Sequence, residues 1–389
     1  MNLALKYGCN PHQKNARLII AKDPSPLEIL NGSPSYINIL DSLCAWQLVR
    51  ELDTATSKPA AASFKHVSPA GAAVFGALSE NFIQSQYLES REYSPVANAY
   101  IRARGGDRMC SYGDAAAVSR TVDANLAAIL KTEVCDSIIA PGYEPEALQI
   151  LKTKKKGSFL IFKMDPDYEP GDLEKRELFG FTLEQDRNNA VISEDLFKNI
   201  VSENKNPGLD IADSLVVATL TLKYTQSNSI CVGYQGQAIG IGAGQQSRIH
   251  CTRIACNKAD KWFYQQHPKV RGLDFKENLK RFDKTNLVDQ YLLWDELSEK
   301  ELQGMLRGFK TRPGPLTSEE KADWLKQFQG ICLSSDALIP FRDNVDRASR
   351  SNIQVIAHTG GALRDDEVTR AANEYGMTMY HTGLRLFTH

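Results

Sequence analysis

One stretch near the amino terminus constrains the fold more than any other, because an apolar run there ends in two basic residues. Residues 61–64 are typical of a buried strand, and Lys65 and His66 follow directly. Ser68-Pro69 then predicts the N-cap and first position of a helix. A strand that leads at once into a helix indicates an open α/β sheet, in which ligands bind at the carboxyl ends of strands. Local sequence leaves a second interpretation open, a basic pair on the surface.

Size and composition exclude several classes of protein. The chain has 389 residues, enough for two or three domains, and its 42% hydrophobic and 24% charged content is typical of soluble globular proteins. The net charge of −1 provides no overall field for nucleic acid or an anionic membrane. No signal peptide or spanning segment is evident, and the eight cysteines form no CxxC pair, so we expect a cytoplasmic protein with reduced thiols. No zinc-ligand spacing occurs, and we predict no metal.

Strand and helix patterns alternate on both sides of a charged, irregular region at about residues 165–210. Hydrophobic periodicity predicts helices and strands in both halves. The predicted helices span 41–52, 94–104, 144–151, 211–222, a segment up to Trp262, and 365–375. The predicted strands span 137–140, 159–162, 353–357 and 377–381, with a hairpin that turns at Gln235-Gly236. Residues 265–330 are charged and helical, and the basic run at 152–156 is typical of a solvated helix end.

Polar loops at several predicted strand ends favour an enzyme that acts on small molecules. No Walker loop, serine elbow or metal cluster is present, and the glycine loop at 240–248 lacks the spacing of a dinucleotide fingerprint. His66 is the best general-base candidate, with Lys65 beside it as an electrostatic stabiliser. A histidine that takes a proton from an amine, together with a cation that stabilises an oxyanion, is typical of acyl transfer. These residues alone do not identify the acyl group.

A set of ordered motifs resembles one family closely, the transformylase domain of the bifunctional purine-biosynthesis enzyme. That domain formylates aminoimidazole carboxamide ribonucleotide (AICAR). The matching segments occur in family order and cover nearly the whole chain. They are 6–8, 10–13, 63–73, 106–109, 113–114, 138–144, 223–229, 240–253, 340–348 and 384–387.

The resemblance implies transfer of a formyl group from 10-formyltetrahydrofolate to the ring amine of AICAR. It implies that His66 is the general base, that Lys65 stabilises the formyl oxyanion, and that Asn228 orients the reacting groups. The positions implied to hold the ribonucleotide are Lys6, Tyr7, Gly113, Asp136, Arg248 and Arg385. The positions implied to line the folate pocket are Ile249, Phe341, Asp343, Ala362 and Leu363.

The resemblance also implies an architecture and partners. The fold implied is a tandem of two cytidine-deaminase-like α/β/α domains over residues 1–190 and 191–389, with a helical insertion at about 257–330 and no zinc. The family's site lies between subunits, which implies a homodimer. The family's cyclohydrolase domain does not appear in the sequence, so we expect a formyltransferase without ring closure and a possible separate cyclohydrolase partner.

Two positions depart from the family pattern, and two other functions compete. Lys6 replaces an expected arginine and so lacks a bidentate fork for phosphate, and Leu338 replaces an expected phenylalanine near the folate. One competing function is a nucleotide- or folate-binding paralogue without catalysis, which would not need Lys65 and His66. The other, a zinc-dependent deaminase, is disfavoured because the HxE and PCxxC ligands are missing.

Overall fold

The computed structural model describes residues 2–20, 22–208 and 211–389, most of them arranged around one large β-sheet. The strands are β1 (Asn2–Ala4), β2 (Arg17–Ile19), β3 (Leu27–Asn31), β4 (Ala60–Lys65), β5 (Ser68–Val74), β6 (Asp114–Val118), β7 (Cys135–Ala140), β8 (Leu160–Met164), β9 (Leu173–Leu178), β10 (Phe181–Asp186), β11 (Ile230–Tyr234), β12 (Gln237–Gly242), β13 (Ile331–Ser335), β14 (Val355–His358) and β15 (Thr378–His381).

Helices connect most of these strands. They are α1 (Tyr36–Thr56), α2 (Glu80–Ser85), α3 (Pro95–Gly105), α4 (Ala124–Thr132), α5 (Pro145–Lys152), α6 (Ala212–Lys223), α7 (Arg248–Tyr264), α8 (Pro268–Arg271), α9 (Arg281–Leu292), α10 (Glu299–Leu306), α11 (Ser318–Leu325), α12 (Asp343–Arg350) and α13 (Asp365–Glu374). Short 3₁₀ segments span Lys154–Gly157, Glu194–Leu196 and Trp294–Glu296.

The two halves of the large sheet repeat one strand arrangement. Among the described residues its order is β15-β14-β13-β11-β12-β5-β4-β6-β7-β8-β3. In the first half β4 is antiparallel to β5 and β6, and β6, β7 and β8 are parallel. In the second half β11 is antiparallel to β12 and β13, and β13, β14 and β15 are parallel. The predicted α/β class is confirmed, whereas the relation to cytidine-deaminase domains and the boundary at 190/191 remain predictions.

Helices cover both faces of the sheet, so the molecule has three layers. Side chains alternate along the strands: Ala61 belongs to one apolar core and Ala62 to the other. One core packs against α1 and α6, and the opposite core packs against α3, α4, α5, α7, α12 and α13. The helices predicted over 41–52, 94–104 and 211–222 are confirmed within α1, α3 and α6.

A buried arginine joins the two halves where β5 and β12 pair at Ala73 and Gln237. Arg102 of α3 is 2% exposed, its Nη1 donates to the carbonyl of Val74 (2.6 Å), and its Nη2 donates to the carbonyl of Gln235. Gln237 donates from Nε2 to the carbonyl of Arg102 (2.8 Å). Burial lowers the pKa of Arg102 to about 10, because a guanidinium without water is less stable when charged.

Residues between α7 and β13 form a small helical subdomain. Helices α8 to α10 enclose their own apolar core around Tyr291 and Met305, whereas Leu325 of α11 belongs to a core of the large sheet. Helix α7 continues unbroken to Tyr264, and the bounds of the insertion at about 257–330 remain a prediction. In the described part of the chain, no helix combines the length and apolar character needed to cross a membrane.

The helix predicted to begin at Ser68-Pro69 is wrong, because these residues begin strand β5. A two-residue turn, His66-Val67, connects β4 to β5, and both residues have positive φ, 55° and 57°. Proline suits the first turn of a helix, but it also suits the start of a strand, so the dipeptide does not distinguish the two. The small residues 70–74 are all buried within the sheet.

Candidate active site

One edge of the large sheet collects the predicted catalytic residues. Lys65 is the last residue of β4, and His66 follows in the turn. Gly113 precedes β6, and Asp136 is the second residue of β7. From the second half, Asn228 precedes β11 and Arg248 begins α7. The expectation that this edge holds carboxyl ends of strands is therefore correct for β13, β14 and β15. It is wrong for the parallel strands β6, β7 and β8, which begin here.

The Lys65–His66 turn is held by a carboxylate from α1. The backbone N–H of Val67 donates to Oδ1 of Asp41 (2.6 Å), and Lys65 donates from Nζ to the carbonyl of Tyr112 (2.5 Å). Burial raises the pKa of Asp41, while the bond from Val67 and the charge of His66 oppose that rise. The imidazole of His66 is exposed, so the turn presents it to solvent.

Gly113 and Asp136 lie next to each other beside this turn. Gly113 has a φ of +77°, and a Cβ there would point towards Oδ2 of Asp136 at 3.9 Å. Asp136 forms an ion pair with Lys155. The basic run is therefore not simply a solvated helix end, since Lys154 is also buried and donates from Nζ to the carbonyl of Glu133. We define Lys65, His66, Gly113 and Asp136 as the first group.

A second group forms around Asp336, which sequence reasoning did not select. Arg248 donates from Nη2 to Oδ1 of Asn228 (2.7 Å) and forms a buried ion pair with Asp336. Asp336 also accepts from the hydroxyls of Ser227 (2.6 Å) and Ser229 (3.0 Å). The sequence signal for Asp336 was its position directly after β13, because a carboxylate buried there needs hydrogen-bond donors or a cation as partners.

The orientation of Asn228 is fixed from both sides of its amide. Its Nδ2 donates to the carbonyls of Gln245 (3.0 Å) and Gln246 (3.2 Å), while its Oδ1 accepts from Arg248. The peptide bond between Ser227 and Asn228 is cis. We define Asn228, Arg248 and Asp336 as the second group.

The three residues predicted to bind phosphate lie in two separate places. The carbonyl of Tyr7 accepts from the backbone N–H of Tyr36 at the start of α1 (3.0 Å), and Lys6 precedes it as an exposed side chain. Arg385 precedes Leu386, whose N–H donates to the carbonyl of Asp336 (2.8 Å). Within the described ranges no hydrogen bond or ion pair links Lys6 or Tyr7 to Arg385.

The predicted folate residues all lie on the second half. Ile249 follows Arg248 on α7, and the α7 residue Thr252 donates to Oδ1 of Asn344 (2.6 Å), next to Asp343 on α12. Phe341 is half exposed, and the guanidinium of Arg364 lies 5.2 Å from its ring centre. Arg364 follows Ala362-Leu363 in the loop after β14, so this contact brings both loops together. Leu363 is fully exposed.

A cavity of about 530 Å³ lies beside Lys65, between the first half and the helical subdomain. Its walls include the rings of Tyr112 and Phe282, whose centres are 4.9 Å apart. Other lining residues include Arg104, Arg108, Met109, Glu133, Lys280 and Arg281. Sequence reasoning missed this cavity, because Phe282 and Tyr112 are distant in the chain.

One carboxylate forms ion pairs with three guanidinium groups at this cavity. Glu133 accepts from Arg104 (3.2 Å), Arg108 (3.0 Å) and Arg281 (2.6 Å). Burial alone would raise the pKa of Glu133, but the charges of Arg108, Arg104 and Arg281 lower it to about 2. Arg104 also pairs with the buried Asp114 (2.6 Å). The cavity therefore retains a cationic wall suited to an anionic ligand.

The first and second groups do not meet within one chain. Among the described residues no hydrogen bond or ion pair joins a member of the first group to a member of the second. Strands β5 and β12 lie between them in the sheet. One chain therefore presents two separate polar clusters along a common edge.

Comparisons with known proteins agree with this arrangement of motifs. The profile of the family described as AICARFT/IMPCHase bienzyme matches residues 1–258. Similar curated proteins include the bifunctional purine biosynthesis protein PurH of Roseobacter denitrificans, 30% identical over 390 residues, and that of Magnetococcus marinus, 29% identical over 394 residues. Each alignment covers 99% of this chain and 59% of the relative, so the chain spans about three fifths of their length. The chain belongs to the AICARFT/IMPCHase bienzyme family.

Proposed function

We propose that this protein is a formyltransferase that moves the formyl group of 10-formyltetrahydrofolate to the ring amine of AICAR. The observation that carries the proposal is the Lys65–His66 turn. It presents an exposed imidazole beside a lysine, and it is held in a left-handed conformation by Asp41. Membership of the family supports the same reaction.

The reaction requires both side chains of the turn. The amine nitrogen of AICAR attacks the formyl carbon, a new C–N bond forms, and the bond from that carbon to N10 of the folate breaks. His66 accepts the proton that the amine loses, and N10 takes up a proton as it leaves. Lys65 stabilises the negative charge on the formyl oxygen during attack. The products are the formylated ribonucleotide and tetrahydrofolate.

We assign the ribonucleotide and folate contacts to the remaining predicted residues. Gly113 and Asp136 lie next to the turn and would hold the carboxamide and base, with Arg248. Lys6, Tyr7 and Arg385 would supply the local cations and hydrogen bonds that a dianionic phosphate needs. The folate co-substrate would lie against the second-half loops, at Ile249, Phe341, Asp343, Ala362 and Leu363.

The separation of the two groups supports an active site shared between two copies of the chain. In a homodimer, Lys65 and His66 of one copy would face Asn228 and Arg248 of the other. This arrangement predicts complementation: His66→Asn and Asn228→Ala are each inactive alone, but their mixture regains activity. Random mixing places one intact site in half of the dimers, which gives about a quarter of wild-type activity. A site contained within one chain would regain none.

Turnover is the direct test of the proposal. The purified protein is mixed with AICAR and 10-formyltetrahydrofolate, and tetrahydrofolate formation is followed by absorbance. Lys65→Met should lose most of the rate, whereas Lys58→Met, which lies before the opposite end of β4, should retain it. Absence of turnover by the wild-type protein from mild acid to mild base would favour the competing function, a binding paralogue without catalysis.

A further inference from the structure

A buried histidine lies behind the loops assigned to folate and has no role in the reaction above. His358 is the last residue of β14 and is 0% exposed. Its Nδ1 faces two backbone N–H donors, those of Ile339 (3.4 Å) and Gly360 (3.2 Å). Each donor belongs to a different loop, one after β13 and the other after β14. The imidazole therefore contacts both loops at once.

The two N–H donors determine which ring nitrogen of His358 carries the proton. Burial lowers the pKa of His358 to about 3, and the nearby His381 contributes in the same direction. The ring is therefore neutral near pH 7, with one nitrogen that accepts and one that donates. Because Nδ1 accepts from two N–H groups, the proton belongs to Nε2.

This tautomer excludes His358 as an Nε2 ligand in the adjacent polar cluster. His358, Asp365 and His381 each bring one potential ligand atom to within 4.8 Å of the others. The rings of His358 and His381 are 4.6 Å apart at an angle of 76°. A protonated Nε2 has no free lone pair for a metal ion, so in this tautomer His358 does not complete a three-ligand site with Asp365 and His381. The Nε2 atom of His358 lies in the same cluster as Asp365 and His381, and it has no hydrogen-bond partner among the described residues.

Both loops that His358 joins carry residues assigned to folate. The first loop continues from Ile339 to Phe341 and Asp343, and the second continues from Gly360 to Ala362 and Leu363. Gly360 has a φ of +75°, and a Cβ there would lie 2.7 Å from Nδ1 of His381, so only glycine fits at this position. On the outer side, the guanidinium of Arg364 packs on the ring of Phe341 and joins the same loops.

We propose that His358 is a positioning residue that holds the two loops in the shape that binds the formyl-folate co-substrate. The inference rests on the proposed function, and it concerns the co-substrate rather than the ribonucleotide. Neutral imidazole is suited to this role because it presents an acceptor at the δ position without a buried charge. Loss of that acceptor would leave two buried N–H groups unpaired.

Two substitutions of His358 test the proposal by their contrast. His358→Asn keeps a neutral acceptor at the δ position, whereas His358→Leu keeps the approximate volume and removes the acceptor. We expect His358→Leu to raise the KM for 10-formyltetrahydrofolate about tenfold and to change the KM for AICAR by less than about twofold. His358→Asn should recover most of the loss. His267→Leu, in the helical subdomain, is the matched control.

Amide hydrogen exchange provides a readout that does not depend on activity. The N–H groups of Ile339 and Gly360 should be protected in the wild-type protein and in His358→Asn, and should exchange faster in His358→Leu. Equal changes in both KM values, or an unchanged co-substrate KM in a folded His358→Leu protein, would overturn the proposal. Failure of the proposed function is distinct: the wild-type protein would neither bind folate nor turn over, although the two amides remained protected.

Discussion

The two halves of the sheet have the same strand order, yet their parallel strands run in opposite directions relative to the candidate site. The parallel strands of the first half begin at the site, whereas those of the second half end there. The first half contributes the β4–β5 turn and the amino ends of β6, β7 and β8. The second half contributes the carboxyl ends of β13, β14 and β15, and its own hairpin turn, Gln235-Gly236, lies at the opposite edge. A repeated topology thus supplies two chemically different surfaces.

The difference extends to how each half holds polar groups. Glu133 of the first half forms ion pairs with three guanidinium groups, and the His66 imidazole is exposed on a turn. The second half buries Asp336 with hydroxyls and a guanidinium, and it buries His358 as a neutral ring. Under the proposed function, the first half therefore supplies the cation and the proton acceptor, while the second half holds Asn228 in a fixed orientation.

The largest expected effect compares the two hairpin turns. His66→Asn keeps a residue that tolerates positive φ but removes the imidazole, and we expect kcat to fall by about 10²- to 10⁴-fold. Gln235→Asn makes a similar change at the equivalent turn, where φ is 49°, and should leave kcat unchanged. Steady-state kinetics checks both variants. Equal losses would indicate that turn geometry matters and the imidazole does not.

Local patterns predicted much of the fold, because helix periodicity and turn residues act over short stretches. The hairpin at Gln235-Gly236 and the helices within α3 and α6 follow from such signals and are confirmed. Ser68-Pro69 did not predict β5, because proline suits both a helix start and a strand start. The contact between Glu133 and Arg281 spans 148 residues, and no local pattern reports which distant charges meet. The local pattern at the end of β4 supplied Lys65 and His66, family motifs supplied Asn228, and Asp336 required the fold.

The next prediction compares the stability that is lost with a buried carboxylate and with a carboxylate whose partner is half exposed. Glu133→Gln leaves three guanidinium groups without their shared carboxylate, and we expect a loss of about 3–5 kcal/mol in the free energy of unfolding. Asp53→Asn removes the partner of the half-exposed Arg120 at the opposite edge and should cost less than about 1 kcal/mol. Urea denaturation measures both. Similar losses would contradict the contrast between the two edges.

The junction between the halves should give a somewhat smaller effect. Arg102→Met preserves length but leaves the carbonyls of Val74 and Gln235 without their donor, and we expect a loss of about 2–3 kcal/mol. The measurement is urea denaturation followed by circular dichroism and by tryptophan fluorescence. If the halves unfold independently in this variant, the two probes will give separate transitions. Full wild-type stability would exclude a structural role for the buried cation.

The smallest expected effect is a dependence of stability on pH that originates in the second half. Folding lowers the pKa of His358 from about 6.5 to about 3. Between these pH values the unfolded chain therefore binds a proton that the folded chain does not bind. Stability from this group is complete above pH 6.5 and is lost as the pH falls towards 3. At pH 5 the loss should be about 2 kcal/mol relative to pH 7.5.

His358→Asn separates this contribution from that of the first half. Without the imidazole, the free energy of unfolding should change little between pH 7.5 and 5. Glu133 affects stability over a lower pH range. Its pKa of about 2 lies below the ordinary value of 4.5, so its contribution to the free energy of unfolding is lost as the pH falls between these two values. Urea titrations at pH 7.5, 5 and 3.5 therefore distinguish the two halves. A wild-type loss at pH 5 that persists in His358→Asn would place the acid-sensitive group elsewhere.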